Sequence, residues 1–345
     1  MCHHLLLLTD IAMNWRVKAL MQSFLSRLPL GHELNYFLRR HVSRTVPAAD
    51  NVFAYDCRFA AEHINAFRKR GACPIEDALF YEFGVGWDLT IPLAFYSLGV
   101  NRQLVVDLRR LIKVALVRRS AGRLAASGEK FDLVRTPESI SNVTNRAQLV
   151  ETLRLGYGID YRAPFDARNT DLVSTCIDYI TATKVLAQIP EASLRDILLE
   201  CYRILRPGGL IRVLNDYRDA YSYVDSKISV YNFLRFSDDE WERLNPDLNY
   251  QNRLRHVDYL RLFHEAGFEV QENEAGYDAD ASIEVLKQIP LADKFRRYSL
   301  DDLMPVRGVI LGRKPDSSWS GRYCGSPTDH PGPTPWQTAT FRRME

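Results

Sequence analysis

The residues whose types and spacing suit ligand chemistry are Glu82, Gly84, Gly86 and Asp107, the last lying 21 residues beyond Gly86. Glycine at 84 and 86 permits positive φ and close backbone approach where a ligand lies across a strand-to-helix turn. Asp107 suits a carboxylate that accepts hydrogen bonds from two ribose hydroxyls. The ligand implied contains adenosine or a close relative.

What the turn lacks narrows the ligand further. A dinucleotide fingerprint needs G-x-G-x-x-G, but position 89 is Leu, and Asp88 at the helix N-cap would set a carboxylate against a pyrophosphate. Nicotinamide and flavin dinucleotides are disfavoured on both counts. S-adenosylmethionine carries no phosphate, and its cationic sulfonium and ammonium are compatible with Glu82 and Asp88 around the turn. By themselves two glycines and an acid also describe an ordinary turn, so the rest of the chain has to discriminate.

The elements that must position these residues form a βαβ unit. An apolar run, Leu79-Phe80-Tyr81, enters the turn. A helix follows, N-capped by Asp88, with Ile91, Ala94, Phe95 and Leu98 at i, i+3, i+4 and i+7 and Pro92 tolerated in its first turn. A second apolar strand then ends in Asp107. Upstream, residues 55–71 read as a helix with Phe59, Ile64 and Phe67 on its apolar side. Residues 13–45 read as two helices broken at Leu28-Pro29-Leu30-Gly31, the first with Val17, Leu20, Met21, Phe24, Leu25 and Leu28 as its apolar set. Both helices carry Arg and Lys. A basic amphipathic stretch of this kind caps a core with a solvated face or lies on a membrane surface.

After Asp107 the spacing predicts a basic helix over 108–117 and an insertion over 108–158 that forms a lid or decorates the substrate side. A short third strand ends at Arg162 and leads to Asp166, which suits acceptance from an adenine amino group or a plain turn role after Pro164. The fourth strand, Ile177-Asp178-Tyr179-Ile180, runs into Thr181. A strongly periodic helix with Leu194, Ile197, Leu198, Cys201 and Leu205 on one face is stopped by Pro207-Gly208-Gly209. The fifth strand, Leu210 to Leu214, exits at Asn215-Asp216-Tyr217.

With these residues in order, the chain resembles class I S-adenosylmethionine-dependent methyltransferases. The resemblance rests on Glu82-x-Gly84-x-Gly86, Asp107, Asp166-Ala167, Leu186-x-x-Ile189-Pro190 and Leu205-Arg206-Pro207-Gly208-Gly209-Leu210. It extends to Phe263-x-x-Ala266-Gly267-Phe268 and to a last strand over 308–315, so it covers roughly residues 78–315. More narrowly, the chain looks like bacterial methyltransferase-domain proteins associated with surface-polysaccharide biosynthesis. The resemblance implies a Rossmann-like, doubly wound α/β fold, with a seven-stranded, mostly parallel sheet whose last strand is antiparallel, preceded here by N-terminal helices. It implies S-adenosyl-L-methionine as cofactor, held by Glu82, Gly84, Gly86, Asp88, Asp107, Asp166, Ala167 and Thr181. Two departures stand out. Asp88 replaces the third glycine, and Ala187-Gln188 replaces a Glu-His pair common before Ile-Pro.

Methyl transfer needs the acceptor aligned, water excluded and, for a hydroxyl acceptor, a proton removed. Candidates for that last role follow the fifth strand and lie in a second polar stretch: Asp216, Tyr217, Asp219 and His256. The expected activity is methylation of a small-molecule or glycan acceptor, a hydroxyl oxygen first among the atoms. The alternatives are a cofactor-binding protein without turnover, favoured by Ala187-Gln188, and an NAD-dependent sugar-modifying oxidoreductase, disfavoured by Asp88 and Leu89.

Composition bounds the remaining choices. A chain of 345 residues can bury roughly three quarters of its unfolded surface. The 45 basic and 43 acidic residues leave a net charge of +2, so no whole-chain field draws it to nucleic acid or to an anionic membrane, and partners must be argued from local sites. Six scattered cysteines form no C-x-x-C pair, which reads as reduced thiols in a cytoplasmic protein with no metal site. The expected organisation is a helical extension over 1–77, with Met13 a possible start, then a methyltransferase domain over 78–315. A Ser-, Gly- and Pro-rich tail over 316–345 has the composition of a disordered segment.

Overall fold

Strands in the middle of this chain are continuous apolar runs, which is how strands buried on both faces by helices read. A computed structural model describes residues 14–28, 31–41, 46–137, 140–278 and 281–316. The strands are β1 (Leu79–Phe83), β2 (Arg102–Val106), β3 (Ile159–Arg162), β4 (Ile177–Thr183), β5 (Leu205–Asp216), β6 (Glu269–Gly276) and β7 (Arg307–Arg313). They form one seven-stranded sheet in the order β3-β2-β1-β4-β5-β7-β6. The first five run parallel to one another, and β7 runs antiparallel to both β5 and β6. This is the doubly wound, Rossmann-like sheet of the methyltransferase fold, antiparallel last strand included.

The helices that precede and cross over this sheet are α1 (Trp15–Ser26), α2 (Gly31–His41), α3 (Asp50–Arg70), α4 (Thr90–Ser97), α5 (Val114–Ala125), α6 (Arg146–Tyr157) and α7 (Glu191–Ile204). Those that complete the chain are α8 (Asp238–Leu244), α9 (His256–Glu265), α10 (Ile283–Lys287) and α11 (Leu300–Leu303). One apolar cluster joins Phe67 and Ile64 of α3, Phe80 of β1, Phe95 of α4, Val117 and Leu124 of α5, and Leu149 and Leu153 of α6. α5 and α6 are therefore part of the helical layer that buries one face of the sheet, not the lid or substrate-side decoration expected of residues 108–158. A second cluster gathers Trp15, Tyr221, Phe233, Trp241, Phe295 and Leu303 into an accessory lobe built from α1, the segment after β5 and the segment before β7. The described residues up to Pro315 form one compact unit. The predicted tail, Asp316 apart, lies outside the described residues, as do residues 1–13.

Three local expectations change. The helix predicted over 108–117 starts only at Val114, because the carboxylate of Asp107 and the carbonyl of Trp87 bind the amides of Arg109 and Lys113 and hold the chain in an irregular turn. Pro207-Gly208-Gly209 lies inside β5, which begins at Leu205 directly after α7; there the amide of Gly208 donates to the Lys314 carbonyl at 2.9 Å. The third concerns α1, where the period is right and the direction is not. Trp15, Ala19, Gln22 and Leu25 face inward, whereas Val17, Leu20 and Phe24 are 58%, 69% and 65% exposed. Trp15 decides the matter, because its ring packs on Tyr221 and Phe236 and its amide donates to Asp225 at 3.1 Å.

Candidate functional site

The glycine turn is built by steric need. Gly84 and Gly86 have φ of +75° and +70°, which L side chains adopt at a cost. A Cβ on Gly84 would meet Val185 Cγ2 at 2.4 Å, so the turn packs against the segment after β4 at that point. A Cβ on Gly86 would meet nothing within 4 Å, so this glycine faces open space. Leu89, not Asp88, is the N-cap residue of α4. It takes the left-handed conformation with φ +52° while wholly buried, and Asp88 Oδ1 accepts from the Thr90 amide at 3.2 Å.

Asp107 closes the turn from the next strand. Its Oδ2 accepts from the Gly86 amide at 3.2 Å and its Oδ1 from the Arg109 amide at 3.0 Å. The two carboxylate oxygens are thereby fixed, each with further acceptor capacity. Burial raises the Asp107 carboxyl above its ordinary value, and the two amides partly oppose that.

A cavity of about 110 Å³ opens beside the turn, lined by Asp56, Glu82, Gly84, Val85, Asp88, Thr90, Ile91, Pro92, Thr183 and Lys184. Glu82 is 5% exposed, and its Oε2 has no hydrogen-bond partner. Burial first, and the Asp56 carboxylate second, push its carboxyl up to about 8. Thr181, opposite Glu82 in the β1–β4 register, and Thr183 each hold a buried hydroxyl without a partner. A run of unsatisfied buried polar atoms along one edge is costly unless a ligand or solvent meets it. Asp56 reaches the cavity from α3 and binds Lys184 Nζ at 2.7 Å, with that ammonium also 4.7 Å from the Tyr55 ring centroid. Sequence reading missed Asp56, Thr183 and Lys184. The signal for Asp56 was present, since helical spacing puts it on the face of Phe59, His63 and Phe67, where a carboxylate needs a reason to be.

Over the turn lies α2. Tyr36 meets the Trp87 ring edge-on at 5.3 Å, Arg39 stands 4.8 Å above it, and Glu33 pairs with Lys113 at 2.7 Å. The N-terminal helices therefore take part in enclosing the site.

The remaining expected residues separate. Asp166 is held by Arg168 at 2.6 Å, and that ion pair keeps its carboxyl below the ordinary range. With Arg168, Asp196, Glu200 and Arg203 it borders a wide depression of about 550 Å³ beside α7. The charges there already neutralise one another, Arg168 with Asp166 and Arg203 with Glu200, so the smaller cavity at the glycine turn is the better candidate. Ala167 is partly exposed beside this pair.

Tyr217 and His256 bond one another. His256 Nε2 sits 2.6 Å from Asn273 Oδ1, an acceptor, which makes Nε2 the donor; Nδ1 then accepts from the Tyr217 hydroxyl at 2.7 Å. Burial lowers the His256 pKa, in keeping with a neutral ring. Asp219 is fully buried, accepting from the Tyr221 amide and from Asn232 Nδ2, both at 2.8 Å, and burial pushes it up to about 6. None of these three lines the glycine-turn cavity. Asp216, at the carboxyl end of β5, accepts from the Arg218 amide at 3.1 Å and from the Tyr223 hydroxyl. Gln188 turns back onto the Lys184 carbonyl at 3.2 Å, and the Ala187 carbonyl accepts from the Asn252 amide at 2.9 Å.

No family model matches the chain, and no curated protein matches it. Similar solved structures include a methyltransferase-class protein from Bacillus halodurans, with 16% identity over 74% of this chain and 98% of that one at a TM-score of 0.40. An S-adenosylmethionine-dependent methyltransferase from Methanosarcina mazei has 14% identity over 70% and 93% at 0.40. One from Mesorhizobium loti has 13% identity over 72% and 96% at 0.39. Overlaps of this extent leave the fold to be argued from the strand order itself.

Proposed function

We propose that the protein is an S-adenosylmethionine-dependent methyltransferase acting on a hydroxyl oxygen of a small-molecule or saccharide acceptor. The observation that carries this reading is the buried, unpartnered Glu82 carboxylate at a cavity whose rim also bears Asp56 and Asp88. Lys184 neutralises Asp56, which leaves two acids, Glu82 and Asp88, for a cationic ligand end. The donor set fits the cofactor: Glu82 and Asp88 for the ammonium end, the Gly84–Gly86 backbone for close approach, Asp107 for ribose hydroxyls. A 110 Å³ cavity is smaller than the roughly 300–1,000 Å³ of whole ligand pockets, so it suits the aminoacyl end, with Gly86 and Asp107 beyond it. For Asp166 to accept from an adenine amino group, its carboxylate must exchange Arg168 for that donor.

The bound cofactor would supply a methyl group already activated on a sulfonium. The chain's own task is then to orient the acceptor, exclude water and take a proton. Trp87 with Tyr36 and Arg39 above it shields the turn. Asp216 is the base we assign, because it stands at the carboxyl end of β5, where open α/β sheets bind ligands. Tyr217, Asp219 and His256 serve instead to hold the segments around it. A second reading, binding without turnover, draws on the same fact that these three side chains are engaged internally and on Gln188 being bonded to the Lys184 carbonyl. Calorimetry with S-adenosylmethionine, S-adenosylhomocysteine and NADH tests the cofactor, and S-adenosylhomocysteine formation with hydroxylated acceptors separates the two readings. Tight NADH binding, or no binding of either sulfur compound, overturns the proposal.

A further inference from the structure

Six large apolar side chains on the two N-terminal helices face solvent: Val17, Leu20, Phe24 and Leu28 from α1 and its end, and Leu34 and Phe37 from α2. Those of α1 are not scattered. At 100° per residue, 17, 20, 24 and 28 fall within a single arc opposite the buried Trp15, Ala19, Gln22 and Leu25. The inward face is anchored by the Trp15 ring and its amide bond to Asp225, so the outward direction of the arc is fixed by packing. Arg16 and Arg27, both exposed, flank the arc on one side, and neither forms an ion pair among the described residues. Helix α1 contains no acidic residue. On α2 the one acid, Glu33, is taken by Lys113.

We propose that the outward arc of α1 docks on a lipid bilayer bearing anionic head groups. A helix whose inner side is packed on its own domain and whose outer side is apolar with cations along one flank can lie in the plane of a bilayer interface, apolar groups in the acyl boundary and cations among the phosphates. A contiguous exposed apolar patch with a charged rim marks an interaction surface. Charge decides the occupant. In a two-fold contact between copies of this chain the same patch meets itself, bringing Arg16 and Arg27 against cations with no acid on the helix to offset them. Anionic head groups neutralise those cations. No described helix is long and apolar enough to cross a membrane, so the association is peripheral.

The test is flotation of the full chain with vesicles of phosphatidylcholine alone and of phosphatidylcholine mixed with phosphatidylglycerol. Binding is expected to the mixed vesicles, weakening with salt. Leu20→Ser with Phe24→Ser should lower the affinity at least tenfold, and Arg16→Gln with Arg27→Gln about tenfold on the anionic vesicles only. All four positions are exposed, so thermal midpoints should stay at the wild-type value, which separates lost binding from lost folding. The proposal fails if wild type floats with neither vesicle or if the apolar pair binds like wild type. It fails equally if wild type is a dimer that the apolar pair makes monomeric, which assigns the arc to a second copy. It also fails if only a chain lacking residues 1–13 binds, which assigns the arc to Leu5-Leu6-Leu7-Leu8.

Discussion

A carboxyl group held up to about 8 is mostly protonated at neutral pH, so Glu82 must lose a proton before it can meet an ammonium group. That gives two linked predictions of definite sign. Between about 4.5 and 8 the folded chain keeps a proton that the unfolded chain has released, so ligand-free stability falls as pH rises through that window. Glu82→Gln cannot ionise and should remove this part of the fall, which thermal melts across the window would read. A cationic ligand favours the ionised form, so wild-type affinity for S-adenosylmethionine should rise toward pH 8 with release of a proton, and the variant should show neither effect. Calorimetry in buffers of different ionisation enthalpy measures the proton directly; a pH-flat wild-type affinity would take Glu82 out of the ligand's reach. On the acceptor side, Asp216→Asn should lower kcat roughly 10²-fold with cofactor affinity unchanged, as expected when a general base is removed. Turnover at the wild-type rate would place the base elsewhere.

At the scale of elements, the turn from β1 into α4 shows how local rules and packing compete. Leu89 sits in the left-handed region, which costs an L residue roughly 1–2 kcal/mol, yet its side chain is wholly buried. Leu89→Gly relieves that strain but removes a core leucine worth about 2–5 kcal/mol, so the variant should lose up to about 4 kcal/mol in denaturant unfolding. A stabilised variant would show that strain dominates there. The same competition explains what could be read beforehand. The strands were legible because Leu79-Phe80-Tyr81 and Ile177 to Ile180 are buried on both faces and leave little freedom of assignment. The Glu82-Gly84-Gly86-Asp107 cluster was legible because its spacing is set by one turn and one crossover. The facing of α1 was not, since apolar residues lie on both sides of it and a tryptophan's contacts with Tyr221 and Phe236, some 200 residues away, choose between them. Nor was the cavity wall of Asp56 and Lys184, a pair separated by 128 residues and joined only by the fold. The roles expected of Tyr217 and His256 met a similar fate: each was placed correctly near the end of β5 or the start of α9, but their side chains turn toward each other and Asn273.

For the whole molecule, the site is a joint of many parts: β1 supplies Glu82, Asp107 follows the end of β2 and binds the turn, β4 supplies Thr183, α3 supplies Asp56, and α2 lies across Trp87. A ligand that binds only when these parts are assembled must stabilise the entire unit, by RT ln(1 + [L]/Kd). At a ligand concentration one hundred times Kd this is about 2.7 kcal/mol, and in a domain of this size each kcal/mol moves the midpoint by roughly 2 °C. S-adenosylmethionine and S-adenosylhomocysteine should therefore each raise the melting midpoint by about 5 °C, while NADH should leave it in place because Asp88 and Leu89 deny it a phosphate cradle. The shift also reads the site's composition. Asp107→Ala removes the acceptor assigned to the ribose hydroxyls and should lose about 2–3 kcal/mol of affinity, the range for hydrogen bonds to a charged group. At the same ligand concentration that loss cancels most of the shift, because one hundred times the wild-type Kd then becomes about the variant's own Kd. The comparison needs the ligand-free midpoint of the variant as well, since Asp107 also binds the amides of Gly86 and Arg109 and its loss loosens the turn. A variant that melts lower without ligand yet keeps the full 5 °C shift would make Asp107 a brace of the glycine turn and no part of the ligand's contacts.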